Sequence, residues 1–287
     1  MKDFIYVNYG LKVNKIYNNY FFVGNDKVYI YKTLKNEKEL EKLFNITNDM
    51  YTKRLLVDTF LINKNNKYYT KKDKENIVLL KVNDRDSKVT LKYLMKYIDF
   101  KLDIDEFDII EYWKNTIDNI EELLVEYNKE HLLLQDSVNY FIGMSENAIT
   151  LMDQYEKRIS NDIAHNINYY NYSNESFNNP FNFIRLNKLY DISLYIKYNF
   201  YIDNIDYDEI YNILNSIDDE YDEAFLFSCL LYRNFYFDVV LKIIKEDEDD
   251  EKLKLFINKI KKYEELLSFC RQNLKKCKWL ALINWLN

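Results

Sequence analysis

The sequence has little glycine, proline, histidine or cysteine, and these shortages exclude several classes of protein. Its 287 residues include 3 glycines, 1 proline, 2 histidines and 3 cysteines. The cysteines, Cys229, Cys270 and Cys277, are odd in number and confined to the last quarter of the chain. This argues against a disulfide framework, and we expect reduced thiols. With only His131 and His165 available and no Cys-x-x-Cys pair, we predict no metal site.

A positive stripe and long apolar runs are also missing. The net charge is −7 and the basic residues are scattered, so we predict no nucleic-acid partner. No apolar run approaches the roughly 20 residues that a membrane span needs, and the first residues lack the order of a signal peptide. A composition of 48% hydrophobic and 30% charged residues is typical of a globular protein. We therefore expect a cytoplasmic protein without membrane insertion.

Short β-prone runs dominate the chain up to about residue 84. They include FIYV near the start, KVYIYKTL and NIVLLKV, separated by turn residues. Asn18-Asn19 and Gly24-Asn25 suit hairpin turns because these residue types tolerate positive φ. One interruption, residues 36–50, carries apolar residues at helical spacing. The pattern predicts a small antiparallel sheet with one helix after its third strand.

Helical periodicity takes over from about residue 88 and continues to the end. The exception is the polar stretch 166–182, which contains the only proline, Pro180, and which we predict to be a long irregular loop. We therefore predict an α+β fold with two domains, a β-rich N-terminal lobe over 1–84 and a larger, mostly helical C-terminal lobe over 85–287.

This layout resembles that of protein kinases and aminoglycoside phosphotransferases. Lys32 ends the run VYIYK, where such enzymes carry the lysine of their third strand. Glu37, Glu39 and Glu41 open the helix that would pair with it. The residues also permit a simpler interpretation, which we favour: Lys32 is a strand-end lysine in a lysine-rich chain.

A more specific resemblance is carried by Tyr140–Ile149, YFIGMSENAI. It is similar to the aromatic-Gly-Leu-Thr-Glu-Asn-Ala-Ile segment of the YutH-like branch of CotS-type spore coat proteins of Gram-positive bacteria, relatives of aminoglycoside phosphotransferases. Supporting stretches come in the family's order: Tyr9-Gly10-Leu11, Trp113, Tyr190-Asp191-Ile192 with Tyr195-Ile196, and Asn284-Trp285-Leu286. The resemblance covers nearly the whole chain. It implies a kinase-like fold, protein partners and, where the host sporulates, a place in the spore coat.

The best-matching residues can be explained without chemistry. Gly143 is expected just before a helix N-terminus, with Ser145 as its N-cap and Glu146 in the first turn, facing the positive end of the helix dipole. Asn147 belongs to the same motif. Asp191 stands where the kinase-like folds brace their catalytic loop with a carboxylate at a helix start. We interpret Gly143, Glu146, Asn147 and Asp191 as structural rather than ligand-binding.

The residues that transfer phosphate in this fold are replaced. A working enzyme would resemble His-x-Asp, with Asn five residues after the Asp. Here His165 is followed by Ile167 and Tyr172, and Arg185 stands near the place of the metal-binding Asp, where a cation would repel magnesium. The first hairpin turn, residues 17–20, has no glycine to let its backbone approach phosphates. We predict no catalytic residues and no cofactor.

Two functions of different classes remain open. The favoured one is a catalytically inactive kinase-like protein, or pseudokinase, that acts through contacts with an unknown protein partner. The alternative is an ATP-dependent small-molecule phosphotransferase with a relocated site that uses Asp153, Asp162 or Glu175 as base or metal ligand. The spacing of these three acids does not distinguish them from ordinary surface charge.

Overall fold

The computed structural model describes residues 1–83, 88–95, 101, 104–127, 131–246 and 248–282. Two compact units make up the chain, and both are discontinuous in sequence. Unit 1 comprises Met1–Asp105, Asn161–Ile167 and Ser173–Arg185, and unit 2 comprises Glu106–Ser160, Asn168–Tyr172 and Leu186–Asn287. The predicted boundary between residues 84 and 85 and the predicted motif at 284–286 lie outside the described residues.

Unit 1 contains a six-stranded antiparallel sheet. Its strands are β1 (Ile16–Tyr17), β2 (Tyr20–Val23), β3 (Asp26–Thr33), β4 (Thr59–Phe60), β5 (Thr70–Lys72) and β6 (Glu75–Lys81). Their order is β1-β2-β3-β6-β4, and β5 also pairs with β6. The longest pairing joins β3 to β6 and aligns Val28 with Lys81 and Thr33 with Asn76. This confirms the predicted small antiparallel sheet.

Both predicted hairpin turns are present. The β1–β2 turn lies between the paired residues Tyr17 and Tyr20, and Asn18 has a φ of 49°. The β2–β3 turn contains Gly24, whose φ is 59°. Two-residue hairpins need positive φ, which explains the residue types at these positions.

The chain begins with a helix, α1 (Lys2–Tyr9), so the strand predicted from FIYV was wrong. Ile5 and Tyr9 lie one helical turn apart and are buried against the sheet. Gly10 ends the helix in the left-handed conformation, with φ 73°, and its N–H donates to the carbonyl of Tyr6. A four-residue apolar run does not distinguish helix from strand. The glycine was the signal of a helix C-terminus.

The helix predicted after the third strand is confirmed as α2 (Glu37–Thr52). Its first turn carries a capping box, in which Asn36 accepts from the N–H of Glu39 and the Glu39 carboxylate accepts from the N–H of Asn36. This reciprocal pair satisfies backbone donors that a helix start leaves unpaired. Leu40 and Leu43 are buried against the sheet.

The stretch 166–182 is not irregular as predicted but consists largely of short helical turns. They are a 3₁₀ turn at Tyr169–Asn171, the helix α6 (Asn174–Asn178) and a 3₁₀ turn at Pro180–Asn182. Asn168, Ser173 and Asn179 cap them through their side chains. The polar residues that suggested a loop therefore act as caps. Two short strands flank the stretch, β7 (Ile163–His165) and β8 (Phe183–Arg185), and they pair antiparallel.

The helical periodicity of the second part of the sequence is also confirmed. After the short α3 (Leu91–Leu94), the helices are α4 (Ile109–Glu126), α5 (Leu132–Met152), α7 (Leu189–Tyr201), α8 (Tyr207–Asn215), α9 (Glu220–Leu231), α10 (Asn234–Glu246), α11 (Lys254–Ile257) and α12 (Ile260–Asn273). In the core of unit 2, α9 packs against α5 and α7. Trp113 of α4 stacks on Tyr232 with their ring centroids 4.5 Å apart.

The helix start predicted at Gly143 was wrong, because Gly143 lies inside α5. A Cβ at this position would meet no atom within 4 Å, so packing does not require glycine. The Ser145 hydroxyl is buried and accepts from the N–H of Arg233 at 3.0 Å instead of capping a helix. Glu146 and Asn147 are exposed, and the Asn147 side chain donates to the Gly143 carbonyl. Residue types that suit a cap can also serve contacts inside a helix.

Among the residues that the structure describes, one helical stretch, Glu220–Glu246, is long and apolar enough to cross a membrane, with a mean hydropathy of 1.3 over its most apolar window. Of that window, 83% is buried within the fold. A buried core helix passes the same test of length and composition, so this stretch is weak evidence for a membrane span.

Candidate functional site

The two faces of β3 have different neighbours. Val28 and Ile30 point to the face that α1 covers. Tyr29 and Tyr31 point to the other face, which α2 covers. Side chains alternate along a strand, so Lys32 shares the face of Val28 and Ile30.

The structure does not bring Lys32 and Glu41 together. Lys32 is exposed on the sheet face opposite to α2, and Glu41 is exposed on α2. The side chain of β3 that lies on the α2 face at this end of the strand belongs to Tyr31, the residue before Lys32. A shift of one residue along a strand moves a side chain to the other face.

Lys27 is the lysine of β3 that lies on the α2 face. Its Nζ lies 2.8 Å from both carboxylate oxygens of Glu175, at the start of α6. It also lies 4.7 Å from the ring centroid of Tyr20 and 4.6 Å from that of Tyr29. The Tyr29 hydroxyl donates to the same carboxylate at 2.8 Å. The ion pair is largely shielded from solvent, so water screens it less than an exposed pair.

Asp58 adds a second carboxyl group to this cluster. Its side chain is fully buried, and Oδ1 accepts from the N–H of Asn83 at 3.2 Å. Burial raises the pKa of Asp58 to about 7, the N–H of Asn83 opposes this shift, and the negative charge of Glu175 adds to it. The backbone N–H of Asp58 donates to the carbonyl of Asn178 at 2.8 Å. The backbone just before β4 is thus hydrogen-bonded to Asn178, which lies more than a hundred positions later in the sequence.

Tyr31 holds the next part of that distant segment. The side chain of Asn179 donates to the Tyr31 hydroxyl at 2.6 Å. Phe181 stacks on the Tyr31 ring with a centroid separation of 4.7 Å and also lies against Phe60. We call residues 173–182 the covering segment, because an ion pair, hydrogen bonds and ring stacking hold them on the Tyr29–Tyr31 face of the sheet.

The positions predicted to be degenerate kinase-like ones are distributed over both units. In unit 1, His165 is fully buried in β7 with its ring centroid 4.9 Å from Phe177 and 5.1 Å from Phe183. Ile167 is also buried. Arg185 is half-buried in β8, where it pairs with Ile163.

Tyr172 and Asp191 lie in unit 2. The Tyr172 ring stacks on Tyr198 with centroids 3.9 Å apart. Burial, together with the nearby Asp191 carboxylate, raises the pKa of Tyr172 well above its ordinary value. Asp191 is buried in the first turn of α7. The structural role of Asp191 stays a prediction.

The three acids considered for a relocated site each face a different lysine. Asp153 ends α5 in unit 2, and its carboxylate lies 3.5 Å from the ammonium of Lys114. In unit 1, Asp162 lies 2.7 Å from Lys101, and Glu175 binds Lys27. Within the described ranges, no group of three His, Cys, Asp or Glu side chains is arranged to hold a metal ion.

Sequence reasoning missed Lys27, Asp58 and Asn179. Two signals were present. Lys27, Tyr29 and Tyr31 follow each other at intervals of two residues, which places all three side chains on one face of a strand. Asp58 is a lone acid inside the apolar run RLLVDTFLI. No local signal identified Asn179, because its partner Tyr31 is 148 positions away.

The fold is that of aminoglycoside phosphotransferases. An aminoglycoside phosphotransferase from Alicyclobacillus acidocaldarius is similar, with a TM-score of 0.63 and 9% identity over 96% of this chain and 96% of that one. Spectinomycin phosphotransferase, in complex with ADP and spectinomycin, has a TM-score of 0.53 and 11% identity over 95% and 97%. An amicoumacin kinase in complex with AMP-PNP and Ca²⁺ has a TM-score of 0.51 and 11% identity over 92% of both chains.

At such low identities these likenesses show the fold and not the activity. No family model matches the sequence, and no curated protein matches it.

Proposed function

We propose that this protein is a catalytically inactive member of the kinase-like phosphotransferase superfamily, a pseudokinase that acts through contacts with other proteins. The observation that carries the proposal is the covering segment on the Tyr29–Tyr31 face of the sheet. Kinase-like enzymes use this strand to present a lysine to nucleotide phosphates. Here Lys27 is paired with Glu175, and Tyr31 is bound by Asn179 and Phe181.

The replaced catalytic positions support the same proposal. Ile167 and Tyr172 have neither a carboxylate to orient a nucleophile nor an amide to hold magnesium. Arg185 brings a positive charge to the place of a metal-binding acid. These three changes remove different requirements of the reaction.

The alternative, a phosphotransferase with a relocated site, has less support. It requires Asp153, Asp162 or Glu175 to accept a proton or a metal ion. In the structure a lysine ammonium lies beside each of these carboxylates, at 3.5 Å, 2.7 Å and 2.8 Å respectively, and a positive charge there opposes the binding of a metal ion.

Calorimetric titration with ATP and magnesium tests the proposal. We expect no magnesium-dependent binding at millimolar ATP and no release of phosphate. The proposal would be wrong if tight, magnesium-dependent binding were seen and were lost in Asp153→Asn or Asp162→Asn. Asp49→Asn is the matched control, because Asp49 is an acid paired with Lys53 on the exposed side of α2.

We further propose that the protein partner belongs to a spore coat or cell-surface layer. The similarity of Tyr140–Ile149 and the stretches around it to CotS-type spore coat proteins supports this step. A tagged chain expressed in its host should be recovered with the isolated coat or surface layer after salt washing. Recovery only in the soluble cytoplasmic fraction would contradict this step. The proposed lack of catalysis would be unaffected, because the nucleotide titration tests it separately.

A further inference from the structure

Unit 2 contains a cavity of about 380 Å³ that the proposed function does not use. It lies at the N-terminal end of α4 and the C-terminal end of α5, beside one face of α9. Its volume falls in the lower part of the range of small-molecule sites. All of its lining residues belong to unit 2.

The wall of the cavity is rich in apolar and aromatic side chains. Phe107, Ile109, Met152, Tyr221 and Phe225 are among them. Ile109, Met152 and Phe225 are buried in the surrounding core. A ligand that fits this wall would carry an aliphatic or aromatic group, because burying that group removes apolar surface from water.

Two of the cationic side chains at the cavity are held in close pairs. The ammonium of Lys157 lies 3.0 Å from the carboxylate of Asp108. The guanidinium of Arg158 lies 2.7 Å from the carboxylate of Asp219 and also stacks over the Tyr221 ring. Both pairs are at hydrogen-bond distance, although each cation is about half exposed.

The third pair, Lys114 with Asp153, is looser. The Lys114 ammonium lies 3.5 Å from both oxygens of Asp153, and each side chain is about half exposed, at 49% and 52%. Exposed pairs of this kind contribute little to stability, so a ligand can separate them easily. The opened pair would offer one positive and one negative partner at the same cavity.

We propose that this cavity binds a small zwitterion, an amino acid with an apolar side chain or a close derivative. Asp153 accepts hydrogen bonds from its ammonium group, Lys114 donates to its carboxylate, and the aromatic wall contacts its side chain. This site goes beyond the proposed function and does not rest on it, because its ligand is neither a nucleotide nor a protein.

Calorimetry and saturation-transfer NMR with L-leucine, L-phenylalanine and L-tryptophan test the proposal on the full chain without nucleotide. At least one of these should bind at millimolar concentration. Two analogues of tryptophan are compared with it: tryptamine lacks the carboxylate, and indole-3-propionate lacks the ammonium group. Each analogue should bind about tenfold or more weakly, the effect of losing one charged hydrogen bond.

Variants assign the two charges separately. Asp153→Asn should lower the affinity for tryptophan to that for indole-3-propionate and leave the affinity for indole-3-propionate unchanged. Lys114→Gln should lower the affinity for tryptophan to that for tryptamine and leave the affinity for tryptamine unchanged. The exposed pair Lys53 and Asp49 provides the matched controls Lys53→Gln and Asp49→Asn, which should change nothing.

Three results would overturn the proposal: no binding of any of the three amino acids, equal binding of tryptophan and its two analogues, or binding that Asp153→Asn and Lys114→Gln leave unchanged. Because both side chains are half exposed, their replacement is expected to leave the fold intact. A circular dichroism spectrum and melting curve of each variant verify this before the titrations.

Discussion

Unit 1 and unit 2 both bury charged side chains, but they stabilise them in different ways. In unit 2, Lys197 is buried inside α7, and its ammonium donates to the carbonyl of Cys229 at 2.8 Å. Burial lowers the pKa of Lys197 to about 7. Arg233 is buried beside aromatic rings, with its guanidinium 3.9 Å from the ring centroid of Tyr263. The direct contacts described for these two cations are carbonyl oxygens and ring faces, and the charge of Asp238 also acts on Lys197.

In unit 1, opposite charges from distant parts of the sequence meet. Lys27 and Glu175 are 148 positions apart, and Asp58 lies near both. A buried pair of opposite charges is a weak source of net stability, but removing one partner is costly. The difference indicates that the buried cations of unit 2 belong to its core, whereas the partly buried Lys27 of unit 1 fixes one segment onto a sheet.

The largest effect is expected in the core of unit 2. Trp113→Ala should lower the free energy of unfolding by about 3–5 kcal/mol, because it removes a fully buried ring that stacks on Tyr232. Urea unfolding followed by circular dichroism measures the change. Trp279→Ala, at a side chain that is 40% exposed, is the control and should cost much less. Similar losses for the two variants would contradict the packing described for α4.

The pH dependence of stability tests the cluster in unit 1. The folded pKa of Asp58 is raised to about 7, above its ordinary 3.8. Between pH 3.8 and 7 the folded state therefore holds a proton on Asp58 that the unfolded state has lost. Its contribution to stability is present below about pH 4 and is lost as the pH rises through 7, with a slope of at most about 1.4 kcal/mol per pH unit.

Asp58→Asn keeps an oxygen for the N–H of Asn83 and removes this titration. The variant should therefore be more stable than the wild type at pH 8, by about 1–3 kcal/mol, and the difference should shrink towards pH 4. Urea midpoints measured from pH 4 to 8 show the trend. Asp238, whose pKa burial also raises to about 7, titrates in both proteins and cancels in the difference. Parallel pH profiles would rule out a buried carboxyl at Asp58.

Two lysines of the same strand provide a matched test of the covering segment. Lys27→Met leaves the shielded carboxylate of Glu175 without its cation and should cost about 1–2 kcal/mol. Lys32→Met changes an exposed side chain on the other face and should stay within about 0.5 kcal/mol. Limited proteolysis should cut within residues 173–182 faster in Lys27→Met only. A larger effect at Lys32 would reverse the assignment of the two faces.

The smallest change expected is at the Tyr31 hydroxyl. Tyr31→Phe keeps the ring that stacks on Phe181 and removes the acceptor for the buried side chain of Asn179. A loss of about 1 kcal/mol is expected, because a buried donor loses its partner. Equilibrium unfolding measures it, with Tyr17→Phe at the exposed hairpin as the control. An equal cost at both positions would mean that the bond to Asn179 does not stabilise the fold.

Local patterns in the sequence were enough to predict much of the fold. Alternating apolar residues and positive-φ turn residues predicted the antiparallel sheet and its two hairpins, and 3.6-residue periodicity predicted α2 and the helices of unit 2. Short segments were less predictable. FIYV formed a helix that Gly10 ends, and the polar stretch 166–182 folded into capped turns, because four to six residues do not define a period.

By itself, the sequence determined the residue types at the positions predicted to correspond to kinase catalytic ones, since Ile167, Tyr172 and Arg185 carry neither a carboxylate nor an amide side chain wherever they lie. Only the tertiary structure decided which lysine of β3 faces the covering segment, since a shift of one residue reverses the face of a strand. It also decided that Glu175 and Asn179 meet Lys27 and Tyr31. Contacts between residues about 150 positions apart depend on how the elements pack, and local sequence does not encode them.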